Sequence, residues 1–311
     1  MSGPGRSTSE AVLRSEGTAV PDAAGDPCPA PLSVADVLCR FRDESDAWTL
    51  QRPGGMLRGR TLGQGPPIVF LNGIGGTCEL FALLVWLLRE EFRCIVYDYP
   101  ENVAAKRRTC GDFAGDLLAV AREHGGDPAF VFATSFGSLV ALTAMLEAPR
   151  SVRRAILQGG FGHRPLSIAE RALLRAGRHL TGTVGGLPLR ERIETNNHRP
   201  WFPPFDATRW SFFLENTGSV PIRAVAERAA ILRDTDLRGE LRRIEQPVMV
   251  VRSEGEGMVS ARSVEQLAAG LPSARVEWLH SCGRLPYLTH PHRLAKLMRE
   301  FLGEDHGARA S

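Results

Sequence analysis

A serine lies where an apolar run ends and a small-residue helical pattern begins. The stretch Ala133-Thr134-Ser135-Phe136-Gly137 is a variant of the G-x-S-x-G nucleophile elbow, with alanine in the first small position. A tight turn from strand to helix would lift the Ser135 hydroxyl above the helix N-terminus, where the Phe136 N–H could face an oxyanion. The alternative is an ordinary turn in which the serine caps the helix.

A second segment supplies the kind of backbone that such a nucleophile needs. Asn72-Gly73-Ile74-Gly75-Gly76 follows directly on the apolar run at 67–71. Glycines allow main chain to come close to a substrate carbonyl. The alternative is a glycine-rich strand-to-helix turn that binds no ligand.

Apolar runs alternate with helical patterns through most of the chain. Strands are predicted at 67–71, 94–98, 129–133, 154–158, 246–251 and 274–279, after a short helix at 32–42 and a hairpin at 48–62. This alternation predicts an α/β protein with a mainly parallel sheet and helices on both faces.

The segment at about 161–243 interrupts that rhythm with short helical pieces and an aromatic, proline-rich middle. Because it is inserted between two predicted strands, we expect a helical lid at the carboxyl edge of the sheet. Its aromatic side chains either form the small core of the lid or face a ligand pocket.

Composition limits the functions that this sequence can have. The 311 residues are 43% hydrophobic and 23% charged, with a formal net charge of +3, which does not indicate a nucleic-acid-binding protein. Residues 1–30 are predicted to be a disordered tail without a secretory signal, followed by one domain at 31–311. The longest apolar run, at 81–88, is too short to span a membrane. The six cysteines have no C-x-x-C or metal-ligand spacing, which favours reduced thiols in a cytoplasmic protein without a metal.

These features, in this order, resemble the α/β-hydrolase fold over roughly residues 45–303. A glycine loop follows a strand, a serine elbow comes two strands later, and an acidic loop and a Gly-x-Leu-Pro segment stand near the end. The resemblance implies a serine hydrolase of esterase type that acts on a small-molecule acyl substrate without a metal or organic cofactor.

The resemblance also implies roles for individual residues. The N–H groups of Ile74 and Phe136 would form the oxyanion hole, and Asn72, in the place of the usual histidine, would contact substrate together with Gly73. Glu256 aligns with the acid of the catalytic triad, and Glu254 is the fallback. The alternative is that both are solvated loop carboxylates.

The base of the triad is where the chain departs from the family. Arg284 stands in the histidine place, and a guanidinium has no acceptor for the Ser135 proton. Arg284 could pair with Glu256, bind an anionic group of the substrate, or remain solvated. His163, which follows a predicted strand at the start of the lid, could overhang Ser135 and is the candidate catalytic base.

A narrower resemblance leaves a second function open. Cys282-Gly283-Arg284-Leu285-Pro286-Tyr287-Leu288 and Tyr99-Pro100 are similar to segments of the maspardin-like subgroup, which lacks the triad histidine and is regarded as non-catalytic. The elbow and glycine loop favour a serine hydrolase with a degraded triad. Arg284 favours a non-catalytic protein that binds a protein partner or a small molecule.

Overall fold

A computed structural model of the chain describes residues 33–101 and 108–307, with the side chains of 258–260 and 305–307 not described. The predicted tail at 1–30 lies outside the described residues. The elements described below belong to the compact unit Leu32–Ser311.

Eight strands of the described chain form one sheet in the order β1-β2-β4-β3-β5-β6-β7-β8. The strands are β1 (Asp46–Arg52), β2 (Gly55–Leu62), β3 (Pro67–Leu71), β4 (Arg93–Asp98), β5 (Ala129–Thr134), β6 (Val152–Gln158), β7 (Val248–Ser253) and β8 (Ala274–Leu279). The β1–β2 and β2–β4 pairs are antiparallel, and the remaining pairs are parallel. The prediction of a mainly parallel sheet is therefore confirmed.

Helices cover both faces of this sheet. They are α1 (Val34–Glu44), α2 (Ala82–Leu88), α3 (Cys110–Glu123), α4 (Phe136–Glu147), α5 (Ile168–Gly177), α6 (Arg190–His198), α7 (Ala207–Gly218), α8 (Ile222–Asp234), α9 (Met258–Gly270), α10 (Pro286–Thr289) and α11 (Pro291–Gly307). Ile68 and Phe70 of β3 belong to the core formed with α1, α2 and α11. Val69 and Leu71 belong to the core formed with α3, α4 and α9. Because successive side chains of a strand point to opposite faces, the apolar runs have to be continuous.

The helices α5 to α8 form an insertion between β6 and β7, which we call the lid. Its aromatic residues Phe202, Trp210 and Phe213 pack on one another with ring centroids 5.0–5.5 Å apart. Phe202 and Phe213 are also part of the core that contains α1 and α11. The aromatic middle of the lid therefore attaches it to the body of the domain.

Candidate active site

Ser135 connects β5 to α4 in a strained backbone conformation. Its φ of 50° and ψ of −113° are uncommon for a residue other than glycine, and such strain is concentrated at functional sites. The serine side chain makes no capping hydrogen bond to α4. This geometry argues against the alternative that the serine is a helix cap.

The small residue after the serine is required by a close approach. A Cβ at Gly137 would lie 2.7 Å from the carbonyl oxygen of Leu71 and 2.9 Å from that of Asn72. Both distances are too short for a real contact. The first turn of α4 therefore packs directly against the end of β3 and the beginning of the glycine loop.

The glycine loop lies beside the serine. A Cβ at Gly73 would be 3.5 Å from the Cβ and 3.9 Å from the Oγ of Ser135. Asn72, which is only 2% exposed, donates through Nδ2 to the carbonyl oxygen of Thr77 at 2.7 Å. The side chain of Asn72 thus closes the loop on itself.

A cavity of about 400 Å³ opens above Ser135, between the carboxyl edge of the sheet and the lid. Its size suits a small organic molecule. Six of the residues singled out in the sequence line it, namely Asn72, Gly73, Ile74, Ser135, Glu256 and Arg284. Phe136 is fully buried beneath it and would contribute its main-chain N–H.

His163 is placed differently. It is not among the described residues that line the cavity, and its Nδ1 lies 3.3 Å from the carbonyl oxygen of Thr235. The structure therefore brings Ser135 and Glu256 to one cavity but places the ring of His163 against the end of α8.

Glu256 is buried, with 2% of its surface exposed. Its Oε1 accepts hydrogen bonds from the Ser253 main-chain N at 3.0 Å and from the Ser253 Oγ at 3.2 Å. Its Oε2 has no hydrogen-bond partner within the described chain. Burial raises the pKa of this carboxyl group. Glu254, in contrast, is exposed and accepts a hydrogen bond from the Ser281 main-chain N at 2.7 Å.

Arg284 lies against the acidic loop. Its Nη2 donates to the main-chain carbonyl oxygen of Glu256 at 2.5 Å. Burial and the nearby charge of Arg164 lower the pKa of its guanidinium, whereas the charges of Glu256, Glu170 and Glu194 act in the opposite direction. Because Arg164, Glu170 and Glu194 also line the cavity, this part of the cavity wall is strongly charged.

His198 was not selected from the sequence, yet it lines the cavity from α6. Its Nε2 lies 3.4 Å from the Oε2 of Glu194, one helical turn earlier. Burial, together with the nearby charge of Arg284, lowers the pKa of His198 to about 4, so the imidazole is neutral at pH 7. The i,i+4 spacing of Glu194 and His198 is the one sequence signal for this pair, and it says nothing about what the pair faces.

No group of three or more His, Cys, Asp or Glu side chains in the described chain could hold a metal ion. None of the helices in the described chain has the length and hydropathy of a membrane span. The described cysteines, which are Cys39, Cys78, Cys94, Cys110 and Cys282, are free thiols. Burial raises the pKa values of Cys78 and Cys94, which makes these thiols poor nucleophiles.

Known proteins share this architecture and part of this sequence. Several curated relatives carry the name pimeloyl-[acyl-carrier protein] methyl ester esterase. The one from Nitrosomonas europaea is 24% identical over 253 residues, which cover 75% of this chain and 94% of that protein. The one from Methylococcus capsulatus is 27% identical over 267 residues, which cover 78% and 96%.

A solved structure and a family model also match this chain. The enol-lactonase from Burkholderia xenovorans superposes with a TM-score of 0.70 at 18% identity, covering 82% of this chain and all of that one. The family model described as alpha/beta hydrolase fold matches residues 66–291. The chain therefore belongs to the alpha/beta hydrolase fold family.

Proposed function

We propose that this chain is a serine hydrolase that cleaves the ester bond of a small acyl substrate, with Ser135 as the nucleophile. The observation that carries the proposal is the strained backbone of Ser135, at the floor of a cavity and beside a glycine loop. Such strain costs about 1–3 kcal/mol and persists only where the surrounding structure enforces it. Names of relatives, methyl ester esterase among them, support the same class of reaction.

The oxyanion would be bound by two main-chain N–H groups. Phe136 is the first residue of α4, so its N–H lies at a helix N-terminus, where the helix dipole favours negative charge. Ile74 would supply the second donor from the loop that passes Ser135. Donors fixed in this way stabilise the charge that develops on the carbonyl oxygen during attack.

We assign the base to His198 in preference to His163. His198 shares the cavity with Ser135, and the contact of its Nε2 with Glu194 leaves Nδ1 as the acceptor. As Ser135 Oγ attacks the acyl carbon, its proton passes to Nδ1. The proton then goes to the leaving alkoxide as the ester C–O bond breaks. Water hydrolyses the acyl-enzyme by the same steps. Glu194 would thereby take the orienting role that the family resemblance implies for Glu256.

Fluorophosphonate labelling and the hydrolysis of a p-nitrophenyl ester test this proposal. We expect the wild-type protein to be labelled and Ser135→Ala to lose both labelling and turnover. His198→Gln should lower turnover by about 10²- to 10⁴-fold, while His179→Gln, at an exposed lid histidine, should match the wild type. A wild-type protein that is neither labelled nor active would refute the hydrolase. Unchanged turnover in His198→Gln would refute the assignment of the base.

A second function rests on Arg284. By the family resemblance this side chain would take the place of the triad histidine. It cannot accept a proton, and it donates to the main-chain carbonyl oxygen of Glu256. A protein of this kind would hold a small ligand or a protein partner without turning it over, as the maspardin-like resemblance implies. Saturable ligand binding by a protein that never labels at Ser135 would favour this function.

A further inference from the structure

The glycine loop at residues 72–77, which we call the oxyanion loop, is held at its beginning by the body of the domain. The hydroxyl group of Tyr99 donates to the carbonyl oxygen of Asn72 at 3.0 Å. Tyr99 is 4% exposed, and its ring packs on Phe136 with centroids 5.6 Å apart. The first peptide plane of the loop is therefore fixed by a buried side chain.

The lid holds the same loop at two later points. Nη1 of Arg228, in α8, donates to the carbonyl oxygen of Ile74 at 2.8 Å. In α7, Oδ1 of Asn216 accepts a hydrogen bond from the Oγ1 of Thr77 at 2.7 Å. The lid is therefore bonded to the loop that would supply the oxyanion donor.

Arg228 is an unusual residue to find in this position. It is only 2% exposed, and its second bond runs from Nη2 to the carbonyl oxygen of Tyr99 at 3.3 Å. Its guanidinium also lies 5.2 Å from the centroid of the Tyr99 ring. Burial of a charged group is costly. Here the buried guanidinium donates to the main-chain carbonyls of two segments that meet beside Ser135.

The planarity of the peptide group explains what these bonds accomplish. The plane that carries the Ile74 N–H lies between the plane of the Asn72 carbonyl and the plane of the Ile74 carbonyl. Tyr99 fixes the plane of the Asn72 carbonyl, and Arg228 fixes the plane of the Ile74 carbonyl. Without Arg228, the freedom of Gly73 and Gly75 would let the middle plane rotate, and the N–H would leave the oxyanion.

We propose that Arg228 is a positioning residue through which the lid sets the oxyanion hole. When α8 is seated, its guanidinium holds the Ile74 carbonyl and directs the preceding N–H toward the substrate. The catalytic part of this inference rests on the proposed hydrolase function, whereas the ordering of the loop does not. Loop order and catalysis can therefore be measured separately.

The test compares Arg228→Met with Arg190→Met. Arg190 is also a lid arginine, and it donates to the carbonyl oxygen of Leu214 at 2.8 Å and to the hydroxyl group of Thr217 at 2.6 Å. Unlike the partners of Arg228, both of these partners lie within the lid. In Arg228→Met we expect faster amide exchange at residues 73–76, kcat lowered by about ten- to a hundred-fold, and a nearly unchanged KM. This loss is smaller than the roughly 10²- to 10³-fold that the removal of a donor costs. Binding of a trifluoromethyl ketone should weaken by the same factor as kcat.

Arg228→Lys serves as a second variant at the same position. Arg228→Lys retains a buried cation with fewer donors, so it should fold if Arg228→Met does not, and should lie between Arg228→Met and the wild type. Unchanged loop exchange in a folded Arg228 variant, or an equal effect of Arg190→Met, would overturn the inference. If the wild-type protein has no turnover, the proposed function fails, and the exchange experiment still decides whether Arg228 orders the loop.

Discussion

Replacement of Gly137 by alanine tests the idea that α4, β3 and the oxyanion loop meet without room for a side chain. The added Cβ would lie 2.7 Å from the Leu71 carbonyl oxygen, 2.8 Å from the Leu71 Cβ and 2.9 Å from the Asn72 carbonyl oxygen. None of these atoms is the end of a flexible side chain. Leu71 also pairs with Ala133 in the sheet, so β3 cannot shift by itself.

The cost follows from these distances. An ordinary contact begins at 3.4 Å, so α4 or the loop must move by several tenths of an ångström. Overpacking of this kind costs about 1–3 kcal/mol, although alanine is intrinsically better than glycine in a helix by about 1 kcal/mol. We expect a lower free energy of unfolding and a turnover reduced by about tenfold, because Asn72, one of the two residues that the added Cβ would meet, begins the oxyanion loop.

Urea unfolding and ester hydrolysis measure the two effects, with Gly303→Ala as the matched control. Gly303 is an exposed helical glycine, and a Cβ there meets nothing within 4 Å. Gly303→Ala should therefore raise the free energy of unfolding by up to about 1 kcal/mol and leave turnover unchanged. A Gly137→Ala protein as stable and as active as Gly303→Ala would refute the close approach on which the site is built.

The remaining predictions concern the charged wall of the cavity. Arg284→His should raise turnover by at least about tenfold, since an imidazole can accept a proton, and an equal gain in Arg284→Met would show that loss of charge is responsible. Wild-type kcat/KM should fall as the pH drops through about 4, where His198 becomes protonated, and Arg284→Met should move that limb to higher pH. Because burial raises the pKa of Glu256, folded protein binds its proton more tightly than unfolded protein, and stability falls as the pH rises above the ordinary carboxyl value. Glu256→Gln should therefore unfold at higher urea than the wild type at pH 7 but not at pH 3.

Local patterns were sufficient for much of the fold. Apolar runs such as 67–71 predict strands buried on both faces, and the order of strands and helices predicts the parallel sheet. Small residues around Ser135 indicate the elbow because that turn places a steric demand on its immediate neighbours. The close approach at Gly137 follows from the same demand, and in the structure it involves the end of β3.

The lid was the part that could be predicted least. Its helices are short, and periodicity shows which face of a helix is apolar but not what lies opposite that face. The sequence therefore led to His163, which adjoins a predicted strand. The structure instead places His198 at the cavity, on a helix whose sequence carries only an i,i+4 pair.

The sequence by itself determined the sheet, the strained serine and the loop beside it, because each depends on residues that are close in the chain or on the order of strands. Tertiary structure alone decided which distant side chains meet them. Arg228 contacts the carbonyl of a residue 154 positions away, and Arg284 contacts the main chain of the acidic loop rather than presenting a base. The Arg228 contact is set by how the insertion packs on the sheet, and the Arg284 contact by how the loop after β8 meets the loop after β7. Both depend on a sum of many weak, non-local interactions that no short stretch of sequence encodes.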